Sequence, residues 1–201
     1  MNDTFDIDIQ LTRKNDITLK ALDFFTKNDK AQFTIENACM AIELGKEDFY
    51  TLYRSMDDFL IQLIAYYTRT IQDLTDPILT DIKVDPLRRI ENLYSHYVDY
   101  YVNRNAFPFS TIASRIINSA ESEEVRQAAC DVINLVKHSH YNCLLEAKKI
   151  GMIDFKVDID KLSEFIIYAW EGTLHCFYAT GSIKSLFTFN TILKNNLLKT
   201  K

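Results

Sequence analysis

The scarcity of glycine and proline constrains this chain more than any other feature of its sequence. Its 201 residues include only four Gly and three Pro, too few for the many tight turns of a β-sandwich or a β-barrel. Along most of the chain, apolar residues recur at the three- and four-residue spacing of amphipathic helices. With 47% hydrophobic residues, the chain can also bury a substantial core. The sequence therefore predicts an all-α fold.

The first sixty residues predict a small helical unit that contains a helix-turn-helix. Asn15 or Asp16 can cap a first helix, ITLKALDFFTKND, and Thr34 can cap a short second helix, TIENACMAI. Gly45 can begin a third short helix, and Ser55 then begins a much longer one. Two short helices joined by a tight turn are typical of a helix-turn-helix.

The remaining residues predict a second, larger helical part. The helix that begins at Ser55 is expected to end before Pro77, and a later helix of about eight turns is expected to end at Gly151. Two consecutive C-terminal helices are apolar on broad faces, which indicates helix-on-helix dimerisation. The predicted domains are 1–54, a helix-turn-helix domain, and 55–201, a connecting helix followed by a ligand-binding and dimerisation domain.

The sequence carries no signal for export or for a membrane. The N-terminal stretch MNDTFDIDIQ lacks the basic and apolar segments of a signal peptide, and no run of about 18 apolar residues occurs. The four cysteines lie far apart and suggest neither a disulfide framework nor a metal knuckle. A cytoplasmic protein that does not interact with membranes is expected.

The segment HSHYNC is the strongest candidate for a metal site. On a helix, His138 and His140 lie about 200° apart, so only His140 and Cys143 share a face. Two ligands do not hold a zinc ion, and a third from His96 or His175 stays an open alternative. Ordinary packing is favoured, and no catalytic constellation is recognisable. We therefore expect no metal, no cofactor and no enzymatic activity.

The N-terminal residues also carry a family resemblance. From ITLKALDFFTKND through TIENACMAIELGKEDFYTLYRSMDDFL they resemble, without gaps, the first helices of the tetracycline-repressor (TetR) family of bacterial regulators. The most similar motifs are the pair Phe49-Tyr50, Tyr53, and Ser55-x-Asp57-Asp58-Phe59, where the family has Leu-Tyr, Phe and Ser-Lys-Glu-x-Leu. The rest of the chain resembles the family's ligand and dimer domain more loosely.

The resemblance implies a homodimer that places two copies of the third helix in successive major grooves of a double-stranded DNA operator. A small molecule that binds the helical core would release the DNA. Glu43 stands where the family's turn has Gly, and Gly45 offers another place for the bend. The positions that match the family's DNA-contacting residues are Thr34, Gly45, Lys46, Glu47, Asp48, Tyr50 and Thr51.

Aromatic residues in the second half of the chain predict an effector pocket. Apolar walls with a few hydroxyl and imidazole groups suit a small hydrophobic or aromatic effector. The same side chains could instead fill the core, and this alternative stays open. The predicted pocket residues are Tyr94, Tyr97, Tyr101, Phe107, Phe109, His140 and Tyr141.

The charge distribution supports an alternative function. Residues 1–60 hold 7 basic and 12 acidic residues, a net charge of −5, while the remaining residues balance at 16 against 16. Acids at Glu47 and Asp48 weaken the attraction to DNA, because basic side chains supply most of the sequence-independent affinity. The alternative is a TetR-fold dimer that has lost DNA binding and acts through a protein partner.

Overall fold

The computed structural model describes residues 3–28, 30–104, 109–119 and 122–198. Within these ranges all regular secondary structure is helical, which confirms the predicted all-α class. None of the described helices combines the length and the apolar run that crossing a membrane demands. The helices are α1 (Asp3–Lys27), α2 (Ile35–Ile42), α3 (Lys46–Leu52), α4 (Met56–Leu79), α5 (Pro86–Arg104), α6 (Phe109–Ser119), α7 (Glu123–Lys149), α8 (Ile159–Thr180) and α9 (Lys184–Ile192), followed by a π-helical turn, Leu193–Leu197.

The chain forms two compact units. The first comprises Met1–Thr70 and Phe109–Val132, and the second comprises Ile71–Pro108 and Ile133–Lys201. Each unit has its own cluster of buried apolar residues. These units are defined by how the chain packs. The predicted domain boundary after residue 54 separates a DNA-binding part from a ligand-binding part, and it stays a prediction.

The core of the first unit is built from the helical stripes that the sequence predicts. Phe25 of α1, Ala38 of α2 and Phe49 of α3 are fully buried, and Phe59 of α4 is almost so. Ile116 of α6 belongs to the same core. The short helices α2 and α3 are therefore stabilised by packing, since helices of seven or eight residues are not stable alone.

Three predicted helix ends are confirmed. The side chain of Thr34 accepts a hydrogen bond from the amide of Asn37 at the start of α2. At the start of α4, the Ser55 hydroxyl accepts from the amide of Asp58 at 3.1 Å. Gly151 follows α7 with a φ of 80°, the left-handed conformation that a glycine adopts without strain.

Two other predicted ends are wrong. α1 begins at Asp3 rather than after Asn15 or Asp16, because no Gly or Pro interrupts this segment and a continuous helix keeps its backbone hydrogen bonds. α4 does not end before Pro77 but continues to Leu79. The proline lies in the last turn of the helix, where its interruption of the backbone hydrogen bonding affects only the helix end.

Candidate functional site

The turn between α2 and α3 bends at Glu43. This residue has φ 57° and ψ 38°, a left-handed conformation, and the amide of the next residue, Leu44, donates to the carbonyl of Cys39 at 3.1 Å. Gly45 has φ −71° and serves as the N-cap of α3, so the suggestion that Gly45 carries the bend is wrong. A left-handed residue with a Cβ costs about 1–2 kcal/mol. An exposed ion pair with Lys20 holds the Glu43 side chain and lowers the pKa of its carboxyl group.

Three aromatic rings in tilted and edge-to-face contact hold α3 against α4. The ring centroids of Phe49 and Tyr53 lie 5.2 Å apart, and those of Tyr53 and Phe59 lie 4.9 Å apart. Burial raises the pKa of the Tyr53 hydroxyl, and the neighbouring Thr18 side chain acts against this shift. Aromatic pairs at these separations add stability beyond the area that they bury. The orientation of α3 is therefore fixed by the packing of its inward-facing aromatic side chains.

The opposite side of α3 is open to solvent. Lys46, Glu47, Tyr50 and Thr51 are exposed, and the Tyr50 ring retains 48% of its accessible surface. The Thr51 hydroxyl donates to the carbonyl of Asp48 at 2.6 Å. Thus α3 brings together five of the seven predicted DNA-contacting residues. The other two have capping positions: the half-buried Thr34 precedes α2, and Gly45 precedes α3.

An ion pair engages Lys46, the basic side chain of α3. Nζ of Lys46 lies 3.6 Å from a carboxylate oxygen of Glu36, and both side chains are largely exposed. Arg54, just after α3, is exposed, and its backbone amide donates to the Asp58 carboxylate at 2.8 Å. Exposed ion pairs contribute little to stability, so a phosphate group could replace Glu36 as the partner of Lys46 at small cost.

Arg115 of α6 secures the segment that joins α1 to α2. Its guanidinium group donates to the backbone carbonyls of Phe25, Asn28 and Ala31, the last at 2.6 Å. The same group lies over the ring of Phe33, 5.1 Å from its centroid. These contacts join residues that lie 84 to 90 positions apart in sequence, and sequence reasoning does not predict them.

In the second unit, three of the predicted pocket residues lie in one aromatic cluster. Tyr94, Tyr97 and Tyr101 are almost completely buried and surround Trp170, at centroid distances of 5.2, 5.8 and 6.1 Å. The ring of Phe189 lies 5.2 Å from that of Trp170. Trp170 and Phe189 are not among the pocket residues predicted from the sequence. Their aromatic character, on the C-terminal helices α8 and α9, is the signal by which they could have been included.

Three hydrogen bonds made by buried side chains give this cluster its polar character. Nδ1 of His140 lies 2.8 Å from the carbonyl of Val136, which can only accept, so Nδ1 carries the proton. Nε2 then accepts from the Tyr94 hydroxyl at 2.9 Å. The hydroxyls of Thr75 and Tyr97 also lie 2.9 Å apart. Burial lowers the pKa of His140 to about 4, so the imidazole is neutral at physiological pH.

The other predicted pocket residues lie outside the aromatic cluster around Trp170 or outside the described part of the chain. Tyr141 is half-buried and packs against the core of the second unit. Phe107 lies outside the described residues, and so does the side chain of Phe109. In the HSHYNC segment, Cys143 donates to the carbonyl of Pro86 at 3.1 Å. His140 and Cys143 are thus each engaged by a protein partner.

The C-terminal helices α8 and α9 expose a large apolar surface. A groove of about 790 Å³ runs along these helices and is lined by Ala169, Gly172 and Cys176 of α8 among others. Large apolar side chains are exposed along both helices and the short turn between them. They are Phe165, Tyr168, Ile183, Phe187 and Ile192, with 46% to 62% of their surface accessible.

Comparisons with known proteins agree with this architecture. The structure superposes on a transcriptional regulator of the TetR family from Agrobacterium tumefaciens with a TM-score of 0.77 at 12% identity, covering 91% of this chain and 96% of that chain. The chain has the TetR-family fold. The resemblance inferred from the N-terminal residues is confirmed.

Two curated proteins are similar to the chain in sequence. The HTH-type transcriptional repressor DhaR of Mycobacterium sp. strain GP1 is 22% identical over 181 residues, 89% of each chain. The transcriptional regulator AcuR of Cereibacter sphaeroides is 23% identical over 155 residues, 76% of this chain and 70% of AcuR. No family model matches the chain. The chain is thus similar, at low identity, to two proteins that are named as transcriptional regulators.

Proposed function

We propose that the chain is a homodimeric transcriptional regulator that binds operator DNA through α2 and α3 and responds to a small hydrophobic or aromatic effector. The observation that carries the proposal is the outward side of α3. It presents Tyr50, Thr51 and Lys46 to solvent on a helix whose inward side is fixed by Phe49. A helix in this setting fits the major groove. DhaR and AcuR, the similar curated proteins, are transcriptional regulators.

Dimerisation is supported by the exposed apolar surface of α8 and α9. Phe165, Tyr168 and Phe187 each leave more than half of their surface accessible, which is costly in water unless another surface covers them. A second copy of the chain can cover this surface through a two-fold axis. The same symmetry presents two copies of α3 to a palindromic operator.

The aromatic cluster around Trp170 supports the effector response. Its rings offer apolar walls, and the hydroxyls of Tyr94 and Tyr97 offer hydrogen-bonding groups. An effector that inserts among these rings must compete with the hydrogen bond between Tyr97 and Thr75. Because Thr75 belongs to α4, the helix that follows α3 in sequence, ligand binding and DNA binding can favour different positions of α4.

A partner-protein function is the second candidate, and the acidic side chains of the first unit favour it. Glu47 and Asp48 are exposed in the first turn of α3 and weaken attraction to a polyanion. The two functions differ in their response to salt. DNA binding through phosphate contacts weakens steeply as salt rises, whereas a protein that has lost DNA binding retains no DNA even at low salt.

Capture of genomic DNA separates the two functions. Purified protein is mixed with sheared DNA from the source organism at about 50 mM and about 200 mM salt, and the retained fragments are sequenced. The proposal expects a few discrete fragments that are lost as salt rises, and loss of these fragments with Tyr50→Ala. No retention at 50 mM salt would favour the partner-protein function.

A further inference from the structure

We infer that Glu47 reads a cytosine in each operator half-site by accepting a hydrogen bond from its N4 amino group. This inference rests on the proposed DNA-binding function and adds the base that the helix selects. The acidic residue that weakens non-specific attraction to DNA thereby becomes a source of specificity.

The direction of the side chain follows from the burial pattern of α3. Successive helical residues are rotated by about 100°, and the inward direction is set by Phe49, Leu52 and Tyr53, of which Phe49 and Tyr53 are buried. The direction opposite to these residues falls between Glu47 and Thr51, which lie one helical turn apart. Glu47 therefore points away from the core and, with α3 in a major groove, toward the base edges.

Asp48, the neighbouring acid, has a different orientation. It lies about 100° further around the helix, toward the flank of Leu52. A Cβ built on Gly45 would lie 3.6 Å from Oδ2 of Asp48, so this carboxylate folds back over the residue that caps α3. In this position Asp48 is directed toward the start of its own helix rather than along the outward direction of Glu47.

The charges around Glu47 leave its carboxylate available to a base. Among the described residues, the nearby ion pairs join Lys46 to Glu36 and Lys20 to Glu43, and none of the described ion pairs includes Glu47. An ionised carboxylate only accepts hydrogen bonds. It therefore needs a donor on the DNA to offset the loss of its hydration in the groove.

The major groove offers such donors on only two bases. Guanine presents the acceptors N7 and O6, and thymine presents the acceptor O4 and a methyl group, so both repel or fail to bind a carboxylate. Adenine has an N6 donor, but the acceptor N7 lies beside it. Cytosine presents the N4 donor alone on its own major-groove edge. A carboxylate at position 47 therefore favours cytosine.

Selection from a duplex library with a randomised half-site tests the inference. Wild-type protein is compared with Glu47→Gln and Glu47→Ala, and with Glu124→Gln, a change at an exposed acid of α7, as the matched control. We expect a cytosine at one position per half-site for the wild type and for Glu124→Gln. Glu47→Gln should shift that position toward adenine, which glutamine binds through N6 and N7. Glu47→Ala should reduce the cytosine preference by about 5- to 100-fold.

A base analogue isolates the amino group. Replacing the selected cytosine by 2-pyrimidinone, which lacks N4, should weaken binding of the wild type but not of Glu47→Ala. Amide hydrogen exchange over residues 46–52 checks that α3 stays folded in the variants. If the wild type selects sequences and no position responds to Glu47→Ala or to the analogue, the inference is overturned while the proposed function stands. If the wild type selects no sequence, the proposed function fails and the inference fails with it.

Discussion

The hydroxyl of Tyr94 and Nε2 of His140 lie 2.9 Å apart at the centre of the second unit, where His140 has no solvent-accessible surface. The imidazole accepts this hydrogen bond only when it is neutral, since both ring nitrogens of a protonated histidine are donors. Acid therefore removes the acceptor and introduces a buried charge. The pair makes the stability of the fold depend on pH.

We predict that the contribution of His140 to the free energy of unfolding is complete above about pH 6.5 and decreases as the pH falls toward 4. Burial lowers the pKa of His140 from 6.5 to about 4, so between these values the unfolded chain binds a proton that the folded chain does not. The loss through this group is at most about 3 kcal/mol. Urea unfolding at pH 5 and pH 7.5 measures the part of this loss that falls between the two pH values, about 2 kcal/mol.

Two histidine variants provide the comparison for this pH dependence. His140→Gln should reduce the difference in stability between pH 5 and pH 7.5. His138→Gln changes an exposed residue of the same helix and should keep the wild-type difference. Equal differences for wild type and His140→Gln would show that His140 does not cause the pH dependence.

The left-handed backbone at Glu43 predicts a stabilising substitution. Glu43→Gly should raise the free energy of unfolding by about 0.5–1 kcal/mol, because glycine adopts φ 57° without steric strain and the exposed ion pair with Lys20 contributes little. Glu43→Ala keeps the strain and loses the ion pair, so it should be no more stable than the wild type. Thermal or urea unfolding distinguishes the three proteins. A Glu43→Gly protein less stable than the wild type would contradict the prediction.

Removal of the Arg115 guanidinium should loosen the end of α1. Arg115→Met leaves the carbonyls of Phe25, Asn28 and Ala31 without their donor, and we expect a loss of about 2 kcal/mol. Amide hydrogen exchange should quicken around residues 25–31. The control is Arg126→Met, since the ion pair of Arg126 with Glu123 lies at the surface. Unchanged exchange in Arg115→Met would show that these contacts do not hold the segment.

The apolar surface of α8 and α9 predicts a dimer in solution. Phe165→Glu combined with Phe187→Glu places charge among the exposed apolar residues of both helices and should convert the dimer to a monomer in sedimentation velocity. Phe155→Glu alters an even more exposed phenylalanine before α8 and should leave the dimer intact. A wild-type protein that sediments as a monomer at all concentrations would refute the proposed interface.

Tyr50 tests the outward side of α3. Its ring is 48% exposed and packs edge-on against Phe49, with 5.6 Å between their centroids. Tyr50→Ala should weaken operator binding by about 10- to 100-fold, in the range of a lost base or phosphate contact, while the melting temperature changes little. Tyr50→Phe separates the hydroxyl from the ring. Unchanged operator affinity in Tyr50→Ala would mean that α3 does not read the DNA.

The sequence predicts the parts of the fold that depend on local interactions. The caps at Thr34 and Ser55 and the glycine that follows α7 are visible as residue types at fixed offsets from apolar stripes. The ends of α1 and α4 are less predictable, since polar capping residues also occur inside helices and a proline is tolerated in a last turn. Asp16 and Pro77 are the two residues at which these local signals mislead.

The site is less predictable than the fold because its decisive contacts join distant residues. The outward residues of α3 follow from periodicity around Phe49. The three carbonyls bound by Arg115 lie at least 84 residues away, and no local pattern indicates them. The sequence offers Gly45 as the site of the bend that the structure has at Glu43. Glycine is the residue most common in the left-handed conformation, and Gly45 lies only two positions away.

The ratio of two affinities tests the central claim, sequence-specific DNA binding, most directly. Fluorescence anisotropy at about 150 mM salt would compare binding to a fragment recovered from genomic DNA with binding to a scrambled duplex of the same length. The proposed function predicts a ratio of at least about 10³. A ratio near one would contradict the claim that this protein reads a DNA sequence.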